Sequence, residues 1–469
     1  MVKFTGNPIT DDSALGGSVI KRSLRFNTTD QTTLTKTLSS SPTNRKKTTL
    51  SFWFKKSKLS TNQGIITSGA SGTGGSASGT RAYLKSDDTF LVTTQVNNST
   101  VWSVTTNRVF RDSSAWMHFC MSLDTTQSTA SDRVKIYFNG VQETSFSSAS
   151  YPSQNYDDIW AYSKYRIGDY GGDYGYYIGY QSYLAEIITV DGQAYDPSYF
   201  GYTEGQTGIW RPKRYEGTYG TNGFYLDFSD NSGTTATTLG KDSSGNGNNF
   251  TPNNFATGDA VKDSPTNNFC TLNPLNQNIY RGQASYSDGN LRMTSSSGNR
   301  GFTAGTMKAQ GKIYFEVLNK SNSGFVGIAD IAADNYQCLD FYNGYPVIDG
   351  SAGSNTGQFS SGDILGVKVD IDAKSIEFLR NNSSVYSTTY TTDVEYFPFI
   401  WDTSGGRSTD AIANFGQDSS FAGEKTAQGN TDGGGIGDFY YAVPSGYKAI
   451  CSKNLPPNVP SIIRPQKHF

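Results

Sequence analysis

Along most of this chain apolar and polar residues alternate with period two. In residues 48–56, Leu50, Phe52 and Phe54 share one face while Ser51, Trp53 and Lys55 share the other. Residues 116–124 place Met117, Phe119, Met121 and Leu123 together, and residues 133–138 alternate Val134, Ile136 and Phe138 with Arg133, Lys135 and Tyr137. The Asn139-Gly140 that follows is the preferred pair for a tight hairpin, because both residues tolerate the positive φ of a type I′ turn. These segments predict half-buried antiparallel strands, apolar inward and polar outward. A second alternating block begins near Cys270. Ile313, Phe315 and Val317 face one way, as do Leu365, Val367, Val369 and Ile371; Ile376 and Phe378 precede a turn at Asn381-Asn382. No stretch keeps a 3.6-residue period, and heptads are absent.

This patterning predicts an all-β chain of two antiparallel sandwiches in series. Residues 1–23 are polar and irregular and read as an arm. The first sandwich spans 24–204, and 205–262, rich in Gly, Thr, Asn and Asp, reads as a connector. The second sandwich spans 263–453, and 454–469 is a tail. The Gly/Ser tract at 67–80 cannot pack a core and reads as a mobile loop.

Composition narrows the classes further. Only 17% of the 469 residues are charged while 13% are aromatic, which suits strands and disfavours a helical bundle. The 39 basic and 41 acidic residues leave a net charge of −2 with no long basic run, so nucleic acid is not an expected partner. No apolar run approaches the ~20 residues of a membrane helix. Residues 1–18 carry no signal-peptide core, so classical secretion is not expected. Cys120, Cys270, Cys338 and Cys451 lie far apart and read as buried free thiols of a protein made in a reducing cytoplasm.

Several segments carry a family resemblance. SLRFN (23–27), SFWFK (51–55), FRDSSAWMHFCMSLD (110–124), RVKIYFNG (133–140) and YLAEIITVDGQAYDPSYFG (183–201) together resemble a laminin-G/concanavalin-like jelly roll. TLNPLN (271–276), GKIYFEV (311–317), FVGIA (325–329), GDILGVKVDID (362–372), IEFLRNN (376–382), YFPFI (396–400) and ANFG (413–416) follow one another as in an SPRY domain. With the connector motif KDSSGNGNNFTPNNF (241–255) and the exit segment 440–460, the pair resembles a family of virion proteins from tailed bacteriophages and prophages. The resemblance implies a structural virion protein assembled in the bacterial cytoplasm, of the tail-fibre or host-attachment type. Its partners would be other virion proteins, further copies of itself (a trimer, as in many fibres) and a host-surface glycan or protein. A head-decoration or head-fibre protein that binds capsid is the alternative, and a bacterial surface adhesin the third. Residues 1–23 would be the anchor to the particle.

Candidate chemistry is sparse, and no enzymatic activity is expected. His118 lies mid-strand and His468 is penultimate, so neither is placed as the base of a triad. The carboxylates that a glycosidase would need are nearest at Asp370, Asp372 and Glu377, and at Glu186 and Asp191, all inside segments that the fold explains. DSSGNGN (242–248) and DYGGD (169–173) offer oxygen ligands for calcium, but neither matches a defined ion loop, and no cofactor or metal is expected. The Gly-rich run 432–438 lacks the Lys-Ser/Thr of a phosphate loop. Ligand contact is assigned instead to residues 169–183, where Tyr170, Tyr174, Tyr176, Tyr177, Tyr180 and Tyr183 follow Tyr165, among glycines and beside Asp169 and Asp173. Tyrosine faces stack on sugar CH groups while their hydroxyls stay wet. Tyr170, Asp173, Tyr174, Tyr176, Tyr177 and Tyr180 are the candidate ligand-binding residues, with core packing or a subunit contact as the competing role.

Overall fold

A computed structural model describes residues 17–69, 78–169, 179–205, 207–276, 284–296, 301–402 and 407–455. Every pair of named strands is antiparallel, and helical structure among the described residues is confined to 3₁₀ turns. The first sandwich has two sheets. In one, the order is Val141–Gln142, Val134–Phe138, Met117–Asp124, Lys47–Lys56, Ser182–Asp191, Ser23–Arg25 and Ala260–Val261, with Phe224–Leu226 also paired to Ser182–Asp191. The other runs Phe146–Ser150, Ser99–Val109, Thr89–Val96, Gly79–Leu84, Gln63–Ser68, Lys164–Ile167, Thr33–Thr37 and Thr251–Asn253. The alternating apolar residues of both meet in one core, where Phe90 stacks on Phe119 at 4.6 Å between ring centres. The expected hairpin forms: Asn139 and Gly140 both take positive φ (48° and 79°) and Phe138 pairs with Val141.

The second sandwich repeats the plan. One sheet orders Ser285–Ser287, Arg292–Thr294, Asp410–Asn414, Lys312–Asn319, Ile364–Asp370, Ser375–Arg380 and Ser383–Thr389. The other orders Phe302–Ala304, Phe397–Trp401, Phe325–Ala329, Tyr336–Asp340, Pro346–Ile348 and Ser351–Ala352. The Asn381-Asn382 turn also has both φ values positive. The four cysteines are free and buried.

Three expectations need correction. The stretch 205–262 is not merely a connector. Its strands Phe224–Leu226, Thr251–Asn253 and Ala260–Val261 extend both sheets of the first sandwich, and Phe224, Leu226, Phe228, Leu239 and Phe250 fill its core. Strands of two or three residues are too short to show a period, which is why composition alone suggested a linker. The arm is likewise structured from Gly17 onward: Gly17 bridges to Lys213, and Ile20 is buried against Trp53 and Trp116. Residues 1–16 and most of the expected tail and of the 67–80 loop lie outside the described residues.

The third correction concerns the outward face of the first sheet, which is not solvated. Ser51, Trp53 and Lys55 are as buried as Leu50, Phe52 and Phe54. Residues 17–22, 193–205 and 207–219 and the start of the second sandwich pack on this face. Lys55 is 1% exposed, and its Nζ donates to Asp263 Oδ2 (2.8 Å), Asn268 Oδ1 (2.7 Å) and the Phe269 carbonyl (2.9 Å). Trp116 Nε1 donates to the other oxygen of Asp263 at 2.9 Å. Arg25, equally buried, binds Asp418 at 2.9 Å and Asp259 at 3.2 Å. Tyr183 donates to the Gly289 carbonyl at 2.8 Å and Asn27 to Asp288 at 2.8 Å. The polar positions of the alternation are therefore the contact between the two sandwiches.

Removing one partner of such a buried pair strands the other charge in a medium that solvates it poorly. Lys55→Met should cost about 3–5 kcal/mol of stability, measured by chemical denaturation. A loss below ~1 kcal/mol would place Lys55 among surface ion pairs instead.

Candidate functional site

The structure divides the tyrosine-rich segment. Asp169 and Gly179 pair as an isolated antiparallel bridge, and the Tyr180 amide donates to the Gly168 carbonyl at 2.8 Å. Gly168 has φ +90°, and a Cβ there would meet the Phe26 ring at 2.5 Å. Tyr170, Asp173, Tyr174, Tyr176 and Tyr177 lie outside the described residues. The flanking tyrosines belong to the interior. Tyr180 is fully buried, edge-on to Phe26 at 5.7 Å, with its hydroxyl donating to the Tyr183 carbonyl. It takes the packing role and not ligand contact. Tyr165 packs on Phe224 and Trp160, and Tyr183 joins the two sandwiches. Asp169 is buried 3.6 Å from Arg166.

The remaining chemical candidates are accounted for by local bonds. His118 is fully buried, its Nε2 lies 2.8 Å from Ser51 Oγ, and its ring sits between Trp53 and Trp210. Burial pushes its pKa down to about 3, so it is a neutral hydrogen-bonding group sealed from solvent and from any substrate. Asp191 accepts backbone amides of Thr43 and Asn222, Glu377 pairs with Lys368 at 2.6 Å, and Asp370 accepts the Ala373 amide. Asp372 is exposed in a turn. In the 242–248 loop both oxygens of Asp242 accept donors from Tyr225, Ser244 and Asn248, so the loop closes on itself. Among the described residues no group of three His, Cys, Asp or Glu side chains is placed to hold a metal.

A different aromatic surface stands out, built on the outer side of the first sheet. A bulge in Ser182–Asp191, between Ala185 and Ile188, sends Leu184 and Ile187 into the core and Ile188 and Val190 outward. Glu186 sits in this bulge at φ +51°, a conformation unusual for a residue with a Cβ. Over Ile188 and Val190 fold residues 193–205 and 207–219, whose Pro197–Tyr199 turn is capped by the Asp196 side chain. Trp210 lies so close to Gly140 and Gly201 that a Cβ at either would overlap its ring. The result is a band of tyrosines. Tyr199 and Tyr195 have ring centres 4.2 Å apart, Tyr195 and Tyr215 5.9 Å, Tyr215 and Tyr219 5.0 Å. Tyr219 and Tyr225 lie nearly parallel at 6.4 Å. Tyr199 is 44% exposed, Tyr195, Tyr219 and Tyr225 are half-buried, and Tyr215 is buried beneath them.

At the inner end of the band, Tyr225 donates its hydroxyl to Glu186 Oε2 at 2.7 Å. Burial pushes the Glu186 carboxyl up to about 8; the Tyr225 hydrogen bond and Arg214 oppose the shift, and Asp227 adds to it. Burial likewise raises Tyr219 to about 12. The band therefore presents flat apolar faces and phenol hydroxyls beside an acid whose protonated form is favoured by desolvation. Such a surface can stack and hydrogen-bond a hydroxylated ligand, and it presents no activated nucleophile. Sequence reading missed it because these tyrosines straddle the assigned boundary at 204–205. Their density, with Tyr195, Tyr199, Tyr202, Tyr215, Tyr219 and Tyr225 inside about thirty positions, was the available signal.

Residues 26–177 match the family model of the concanavalin A-like lectin/glucanases superfamily. No curated protein matches the chain in sequence. Among solved structures, the SPRY domain of human HERC1 is similar at 15% identity, covering 30% of this chain and 96% of its own, with a TM-score of 0.27. The heptameric SAP-like pentraxin from Limulus polyphemus is similar at 17% identity, covering 40% and 81%, with a TM-score of 0.29. A protein from Bacteroides ovatus, provisionally described as carbohydrate-binding, is similar at 14% identity, covering 50% and 58%, with a TM-score of 0.32.

The raised carboxyl has a stability consequence. The folded state holds the Glu186 proton above the ordinary value of 4.5, whereas the unfolded chain releases it there. The contribution is whole below pH 4.5 and is lost as pH rises through about 8. Glu316, raised to about 7 by burial, acts in the same direction, so the comparison must be between variants. Melting temperatures measured from pH 5 to 9 should fall more steeply in the wild type than in Glu186→Gln, which keeps an acceptor for Tyr225. Parallel profiles would contradict the assignment.

Proposed function

We propose that this chain is a non-enzymatic binding protein of a tailed-phage or prophage particle, contributing to host attachment through a glycan or protein receptor. The tyrosine band carries the binding part of this reading: a partly exposed row of aromatic faces beside the Tyr225–Glu186 pair, on a rigid sheet. Tyrosine gives large contact area at low ordering cost, the property recognition surfaces favour. The match of residues 26–177 to a lectin-type superfamily agrees with a binding role. The particle assignment rests on the paired resemblances of the two sandwiches, and with it go the proposals of virion location, of virion partners and of a homo-oligomer.

Two measurements test the reading separately. Tyr195→Ala/Tyr199→Ala should weaken binding to host cells or to an extracted surface glycan by about tenfold while the protein still melts in one cooperative transition a few degrees lower, since each stacked aromatic pair, with ligand or within the band, contributes ~0.5–1.5 kcal/mol. Undiminished binding would remove the band from the contact surface. Labelling the chain in intact particles should place it at the tail tip. Label on the capsid lattice would favour head decoration, and absence from particles would overturn the viral reading.

A further inference from the structure

Two open clefts of about 490 and 460 Å³ meet at Lys453. The first, in the second sandwich, is lined by Lys308, Lys312, Lys448 and Lys453. The second lies at the junction and adds Lys21, Arg22 and Lys262. Neither lining contains a carboxylate, although acids slightly outnumber bases in the chain as a whole. Some of these charges are partly compensated. Lys308 binds Glu395 at 2.6 Å, Lys312 lies 3.5 Å from Asp370, Arg22 donates to the Ala260 carbonyl, and Asp418 and Asp438 stand behind Arg22 and Lys262. Among the described residues, Lys21, Lys262, Lys448 and Lys453 form no ion pair. These four lysines line the two clefts, with no carboxylate residue among the lining.

The residues between the lysines narrow the class of ligand. Gln310 and Asn454 line one cleft; Ser229, Asn231, Ser264 and Asn267 line the other. Asn454, Ser264 and Asn267 are held by internal hydrogen bonds, which leaves the amides of Gln310 and Asn231, with the Ser229 hydroxyl, to meet sugar hydroxyls as donors and acceptors. The one aromatic residue in either lining, Phe269, is fully buried, so no ring face is offered for nucleobase stacking. Lysine dominates over arginine, which suits point-charge contact with carboxylates more than bidentate phosphate recognition.

We infer that the two clefts form one track for an acidic polysaccharide, with carboxylates meeting the lysines and hydroxyls meeting the intervening Asn, Gln and Ser side chains. This surface is separate from the tyrosine band and works by a different force, so its failure would leave the proposed function standing. The buried contacts between the sandwiches hold the two halves of the track in register.

Polygalacturonate, neutral dextran and a thymidine oligonucleotide serve as probes against the full chain. Polygalacturonate should bind in low salt, weaken sharply at high salt as screening shortens the reach of the lysines, and lose about tenfold or more in affinity in Lys448→Glu/Lys453→Glu. The charge-matched control Lys36→Glu/Lys46→Glu, on the first sandwich and outside both linings, should retain binding, and dextran should not bind. An unchanged melting temperature shows that the variants fold. The inference is overturned if polygalacturonate does not bind, if both double variants lose affinity equally, or if the oligonucleotide binds as tightly.

Discussion

Burying two cations on the outer face of a β-sheet is costly unless each finds acids in fixed positions, and the whole arrangement follows from how Lys55 and Arg25 meet that requirement. Lys55 takes Asp263, Asn268 and a carbonyl from the segment that leads into the second sandwich. Arg25 takes Asp259 at the end of the first sandwich and Asp418 in the second. The Arg25 network needs the two sandwiches in one relative placement, and the Lys55 network fixes the segment that enters the second, because a shift of a few ångströms would leave a charge unpaired in the interior. Hydrophobic burial makes each sandwich; these polar contacts orient the pair.

Much of this was legible in the alternation, and the missing part has a physical explanation. Strands as long as Lys47–Lys56, Met117–Asp124 and Ile364–Asp370 carry enough repeats for a period of two to be unmistakable. So do the Asn139-Gly140 and Asn381-Asn382 turns, whose residues accept the backbone angles that the hairpins require. A period, however, says which residues share a face, not what covers that face. Lys55 and Arg25 read as solvated because polar side chains usually are, and their acids lie more than two hundred positions away. The short strands at 224–226, 251–253 and 260–261 carry too few residues for any pattern, so a structural part of the first sandwich read as linker.

The binding surfaces divide along the same line. Tyr170, Tyr174, Tyr176 and Tyr177 were singled out by local density, while their described neighbours Tyr165, Tyr180 and Tyr183 are interior residues. Local density therefore does not separate contact from packing. The band from Tyr199 to Tyr225 depends on a bulge at Glu186 and on a covering segment folding back over Ile188 and Val190, neither of which a linear reading contains. The lysine-lined clefts are further still from sequence, since Lys21, Lys262 and Lys453 converge only when the sandwiches dock.

The central claim is that buried charge makes the two sandwiches one cooperative body. Scanning calorimetry of the full chain tests it most directly. One transition is expected, with the calorimetric enthalpy equal to the van't Hoff enthalpy. Two resolved transitions, each with the enthalpy of a single sandwich, would show that the domains unfold independently and would contradict the account.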